Sequence, residues 1–263
     1  MIDIIKAEKA FKEYLSNYDI NDDKIKLKLT HTYGVVNASE YLSKKLNLSK
    51  EDTDVSRLIA LLHDIGRFEQ TKGNNDIYDK ADIELFDHAI YGTKILFEDN
   101  LIRNFIEDKS YDNIIYKAIL NHNRLKVQEG LNEKELLHAK LIRDSDKTDN
   151  FRVKLTEDFK VLLGTDDIEY ISGEIISEKI YNDFMSQKLI KTSDNVTCLD
   201  RWTGYIAFIF DYNFKESLEY LKENDLVNKV FDRIKYTNPD TIKKINNMRN
   251  LAEQYINTKI NVI

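Results

Sequence analysis

Apolar residues recur every three or four positions along most of this chain, the period of helices that bury one side. Residues 3–18 form such a stretch, with Ile4, Ile5, Ala7, Phe11, Tyr14 and Leu15 toward one face. A polar run at 16–24 separates it from a helix expected over 29–46. Asn47 and Ser49 then provide a break and a cap, and Glu51 and Asp52 suit the first turn of a third helix through Leu58, Leu61 and Leu62. Gly66 is expected to end or bend that helix, leaving His63 and Asp64 in its last turn. Residues 71–79 are polar and turn-rich and read as a surface loop. Further helices are expected over 86–97, 100–106, 113–120 and 133–148. The last of these gathers Leu136, Leu137, Leu141, Ser145 and the stem of Lys140 on one side.

Beyond Phe151 the histidines stop and aromatic residues become frequent. Helices fit 172–186, 199–212, 215–223, 225–235 and 240–258, with Pro239 at a start, where its missing N–H costs little. Tyr205, Phe208, Phe210, Tyr212 and Phe214 crowd one segment. Phe208 and Tyr212 keep helical spacing, which favours packing over a substrate-stacking wall. The expected organisation is a binding core over 1–150 and a C-terminal helical portion over 151–263 packed on it, within one domain or beside it.

The 263 residues include 8 Gly and 1 Pro, too few for the reversals of a sandwich, barrel or doubly wound sheet, so the expected class is all-α. Lys and Arg number 39 against 46 Asp and Glu, a formal net charge of −7. That balance disfavours broad affinity for nucleic acid or an anionic membrane, yet leaves room for a small anionic substrate held by a local site. The longest apolar run, 205–210, is far too short to cross a bilayer. A single cysteine, Cys198, cannot form an internal disulfide, and the alternation of residues 1–11 does not resemble a secretion signal. A cytoplasmic protein is expected, with a homodimer as an open possibility.

The candidate chemistry lies in five histidines, His31, His63, His88, His122 and His138, and their acidic neighbours. Asp64 follows His63 directly after an apolar run, and a carboxylate is costly to bury unless it is charge-paired or metal-bound. Neutral imidazole is the common partner ligand of a divalent cation. His31, His63, His88 and His122 fall on or near different expected helices, so a bundle could converge them. His138 stands outside the pattern and reads as a core or outer hydrogen-bonding residue.

The order His31, His63-Asp64, His88, His122 and a later Asp resembles the HD superfamily of metal-dependent phosphohydrolases, in the variant with extra histidines. The carrying motifs are Leu61-Leu62-His63-Asp64-Ile65-Gly66-Arg67-Phe68, Asp87-His88-Ala89, Asn121-His122-Asn123 and Arg143-Asp144-Ser145-Asp146-Lys147, within about residues 26–150. The resemblance implies an HD-domain helical bundle with a C-terminal helical extension. It also implies two divalent ions (Mn, Fe, Ni, Co, Zn or Mg) held by His31, His63, Asp64, His88, His122 and Asp146, with Asp144 as the alternate to Asp146. Asp64 would bridge the ions.

The implied reaction is cleavage of a phosphate ester of a nucleotide or small phosphorylated metabolite by metal-activated hydroxide. Arg67 and Lys147 are the candidate catalytic cations, each with a plain salt bridge as the competing reading. Arg67, Glu69, Arg124, Lys147 and Asp149 are the candidate substrate-binding residues. A diiron HD-type oxygenase and a non-catalytic nucleotide-binding regulator are the alternatives. Cyclic-dinucleotide hydrolysis is disfavoured because no Gly-Tyr-Pro element occurs near the site.

Overall fold

The computed structural model describes residues 2–72 and 87–261, and among them every regular element is helical. The chain divides into two compact units, Met1–Asp149 and Asn150–Ile263. Among the described residues no helix is long and apolar enough to cross a membrane.

In the first unit, α1 (Ile4–Leu15) starts where the Asp3 carboxylate accepts from the Lys6 amide at 2.9 Å. It ends earlier than expected because Ser16 and Asn17 donate their side chains to the carbonyls of Glu13 and Tyr14. Ala7, Phe11 and Leu15 face the core, whereas Ile5 is 82% exposed. Ile5 shares the face of Lys9 and Lys12, about a third of a turn from the buried stripe. α2 (Asp23–Lys45) begins six residues before the expected start, since Asp22 caps it by accepting from Lys24 and Ile25 amides at 2.8 and 3.2 Å. α3 (Lys50–Leu62) is capped by Ser49, as its sequence predicts. It packs along α2.

The chain then turns at His63 and Asp64, with Arg67 N–H bonded to the Asp64 carbonyl at 2.9 Å, and continues as α4 (Ile65–Lys72). Gly66 therefore lies inside a new helix. Its role is clearance: a Cβ there would sit 2.4 Å from the His88 carbonyl oxygen and 2.9 Å from the Gly92 nitrogen. α5 (His88–Thr93) is capped by Asp87 and meets α4 at this glycine contact. The loop expected over 71–79 and the Phe86 end of the expected helix fall, past Lys72, outside the described residues.

α6 (Asp112–Asn121) follows, and then α7 (Glu133–Thr156). Asn132 and Glu135 cap α7 reciprocally, each side chain accepting from the other's backbone amide. α7 runs eight residues past its expected end. The core of this unit is built from Phe11, Leu58, Leu62, Ile65, Phe68, Leu96, Phe105, Ile115 and Ile119. Phe68 is fully buried, which contributes about 1.5–3 kcal/mol for such a side chain, and meets the Phe11 ring edge-on at 5.9 Å.

The second unit carries α8 (Phe159–Leu163), α9 (Ile168–Gly173), α10 (Glu178–Met185), α11 (Cys198–Ile206), α12 (Lys215–Glu223), α13 (Leu226–Asp232) and α14 (Pro239–Asn261). The helix expected over 172–186 is interrupted between α9 and α10. There the Glu174 carbonyl accepts from the Thr241 hydroxyl, and Ser177 gives both amide and hydroxyl to buried Asp200. Of the aromatic segment, Phe210 packs against Phe184 and Tyr255 at 5.0 Å, while nearby Trp202 is fully buried. Packing thus accounts for Phe210, while Tyr205, Phe208, Tyr212 and Phe214 are half-buried. Cys198 is half-buried at the start of α11.

Candidate metal centre

Two ligand triads form in the first unit, one of His31, His63 and Asp146, the other of Asp64, His88 and His122. In each, one nitrogen or oxygen per residue lies within 4.8 Å of the others. Five elements or their ends supply them: α2 gives His31, the α3–α4 turn gives His63 and Asp64, α5 gives His88, the end of α6 gives His122, and α7 gives Asp146. His31 Nε2 stands 3.1 Å from Asp146 Oδ1. His88 Nε2 and His122 Nε2 stand 3.0 Å apart and face Asp64 Oδ1 at 3.4 and 3.6 Å. Ligands about 2.1 Å from a shared ion, at angles between right and tetrahedral, are themselves roughly 3.0–3.4 Å apart. The second Asp64 oxygen looks the other way, 3.9 Å from His63 Nε2. One short turn of chain thus serves both triads.

Backbone and carboxylate acceptors set the tautomers. His63 Nδ1–H donates to the Ala60 carbonyl at 2.8 Å and His122 Nδ1–H to the Ile119 carbonyl at 2.7 Å. His31 Nδ1–H donates to Asp149 Oδ2 at 2.7 Å. Each ring therefore turns its Nε2 lone pair inward, the arrangement by which outer partners orient metal-bound imidazoles. His63 Nε2 is fully buried and has no hydrogen-bond partner among the described residues. An unmet acceptor costs free energy in a core, and a divalent cation is the partner that its neighbours fit.

Electrostatics agree with that fit. Burial holds the His63 imidazole down to about 4, against the pull of Asp64 and Asp146. Burial and then the Arg67 charge keep His88 well below its ordinary range. Burial alone would raise the Asp64 carboxyl, but Lys28 and then His63 hold it well below the usual carboxylate range. His31 differs: burial would lower it, yet hydrogen bonds to Asp146 and Asp149 raise it to about 9.

The expected site residues are not all in one place. Asp146 joins a triad, while Asp144, fully buried on another side of α7, belongs to neither. Asp149 sits behind His31, 4% exposed, rather than in an open substrate-facing position. Arg67 keeps its Nε 3.8 Å from Asp64 Oδ1 with 23% of its side chain exposed. Lys147 is buried on α7. Glu69 accepts from the Tyr18 hydroxyl and belongs to neither triad. Arg124 is half-buried in the turn after α6. His138 lies outside both triads, its Nε2 3.4 Å from Asp52 Oδ1.

Two residues were missed in the sequence. Lys28 falls just before the expected α2 start at 29, yet places Nζ 3.3 Å from Asp64 Oδ2. Its spacing one turn before His31 was the available signal. Arg143 is buried and donates to the carbonyls of Asn121 and Arg124, among others, so a cation secures the end of α6 beside His122.

Comparison with curated proteins and with solved structures gives no match. The family model described as HD domain matches residues 29–150, the stretch that carries all six triad residues. Residues 29–150 therefore form an HD domain, whose two histidine–aspartate triads are consistent with a binuclear divalent metal site and support metal-dependent hydrolase activity.

Proposed function

We propose that this protein hydrolyses the phosphate ester of a small phosphorylated metabolite, nucleotide-like in character, in the cytoplasm. The observation that carries the reading is the junction of two triads at His63-Asp64, with the His63 Nε2 lone pair buried and unmet. His31, His63 and Asp146 would hold one ion and Asp64, His88 and His122 the other. When bound, such a pair supplies Lewis acidity and makes water a competent nucleophile near neutral pH.

This chain's own residues supply the rest. Asp64 offers one oxygen to each side of the junction. Arg67 has the reach and partial exposure to fork around phosphate oxygens. Lys147, next to Asp146 on α7, would add positive charge, and Arg124 would approach from the turn after α6. Asp149 positions His31 and would not meet substrate. In the overall reaction, a water oxygen bonds to phosphorus, the ester P–O bond breaks, and the leaving oxygen takes a proton.

The test is metal analysis of protein purified without added metal, followed by a phosphate-release screen with Mn, Mg, Ni, Co and Fe. His63→Ala and Asp64→Asn should each lose bound metal and turnover together. Either variant retaining full metal content and activity would sink the assignment. A diiron oxygenase is the second reading, favoured because each triad is two histidines and one carboxylate. Strict dependence of turnover on oxygen, without phosphate release, would replace the first reading by this one.

A further inference from the structure

Lys28 lies one helical turn before His31 on α2, and its ammonium reaches across to Asp64, Nζ to Oδ2 3.3 Å. Arg67, on α4, approaches the other oxygen of that carboxylate, Nε to Oδ1 3.8 Å. Two cations from two helices therefore stand at the group that joins the triads. Asp64 is buried, with 6% of its side chain exposed, but Lys28 and Arg67 keep 17% and 23% in contact with water. Part of each cationic side chain therefore meets solvent beside the Asp64 carboxylate.

Charge balance then narrows the anion. Asp64, Asp146 and Asp149 bring three negative charges, and Lys28 and Arg67 bring two positive ones, so these groups nearly cancel. A pair of divalent ions held by the triads would leave the pocket strongly positive. A phosphodiester offers a single negative charge and two non-bridging oxygens. A terminal phosphate offers two charges and three oxygens, enough to meet the ions and still present an oxygen to a cation. The lysine stem is flexible and its ammonium is a compact charge with three donors, suited to following such an oxygen.

Resting on the phosphohydrolase reading above, we infer that Lys28 is a substrate-binding residue that, with Arg67, selects a terminal dianionic phosphate over a phosphodiester.

The experiment uses the full chain loaded with Mn and the variants Lys28→Gln and Lys28→Arg. Metal content is measured first, then binding of inorganic phosphate and of dimethyl phosphate by calorimetry. Lys28→Gln should keep its metal and bind inorganic phosphate about tenfold more weakly, the loss of one charged hydrogen bond. Dimethyl phosphate binding should change little, and Lys28→Arg should recover most of the loss. Hydrolysis should follow the same order, with the preference for p-nitrophenyl phosphate over bis-p-nitrophenyl phosphate reduced in Lys28→Gln. Unchanged phosphate binding in Lys28→Gln, equal weakening toward both probes, or loss of metal would each overturn the assignment while leaving the hydrolase reading intact. A wild-type protein that holds no metal and releases no phosphate would overturn both.

Discussion

Gly34 and Asp149 occupy adjoining space only because Gly34 has no side chain: a Cβ there would lie 1.9 Å from Asp149 Oδ1 and 2.3 Å from its Cγ. The carboxylate so admitted accepts from His31 Nδ1, and His31 turns its Nε2 toward Asp146. Gly34 is one turn beyond His31 on α2, so one helix carries both the ring and the clearance for its partner.

Gly34→Ala should therefore displace Asp149 and free the His31 ring. Metal affinity at the His31, His63 and Asp146 triad should fall by about 10–100-fold, the usual cost of losing an outer partner of a metal-binding histidine. Asp149→Asn should fall in the same direction. Metal titration of each variant checks this, and wild-type affinity in Gly34→Ala would show that His31 does not depend on the clearance.

Gly66 and Gly92 face each other across α4 and α5 but should respond differently to alanine. At Gly66 the new methyl would press on backbone, 2.4 Å from the His88 carbonyl oxygen, and a helix must shift. A loss of about 1–3 kcal/mol is expected. At Gly92 the nearest atoms are at 3.4 Å, near ordinary contact, and the gain in helix propensity offsets much of the crowding. Urea denaturation of the two variants should separate them clearly.

The metal-free protein should be most stable near pH 6.5, as far as His31 and His63 decide it. His63 is lowered to about 4 in the fold, so the unfolded chain binds more protons between that value and about 6.5, and stability is lost as pH falls through this window. His31 is raised to about 9, so the folded state binds more protons above about 6.5, and its contribution is lost as pH rises toward 9. Metal binding at neutral pH needs His31 Nε2 unprotonated and should release a proton from that ring but none from His63. Calorimetry at neutral pH in buffers of different ionisation enthalpy measures the release; a heat of binding that does not change with the buffer would contradict it.

Tyr18 links α1 to α4 through its hydroxyl, which meets both Glu69 and the Tyr14 hydroxyl, the latter at 2.6 Å. Tyr18→Phe should lower stability by about 1 kcal/mol, the net worth of a typical hydrogen bond, and leave metal content unchanged. Metal loss in this variant would mean that Glu69 and its partners hold the centre.

How much of this was legible beforehand varied by residue. Helix existence followed from periodicity, and Ser49, Asp52 and Pro239 marked their helix ends because caps act within one turn. The α2 start escapes the hydrophobic period because 23–28 alternates Ile25 and Leu27 with lysines, and the Asp22 cap is what shows that the helix reaches back past Lys28. The break between α9 and α10 was invisible because its cause, Asp200, lies 23 residues beyond Ser177.

From its sequence alone this chain is committed to helices and to histidines and aspartates in a metal-binding order, for spacing and side-chain type act locally. Tertiary structure decided which of those groups share an ion's surroundings: Asp146 rather than Asp144, Asp149 behind His31, and Lys28 against Asp64. These outcomes rest on helix directions and on clearances such as the one at Gly34, which arise when distant segments exclude one another's volume.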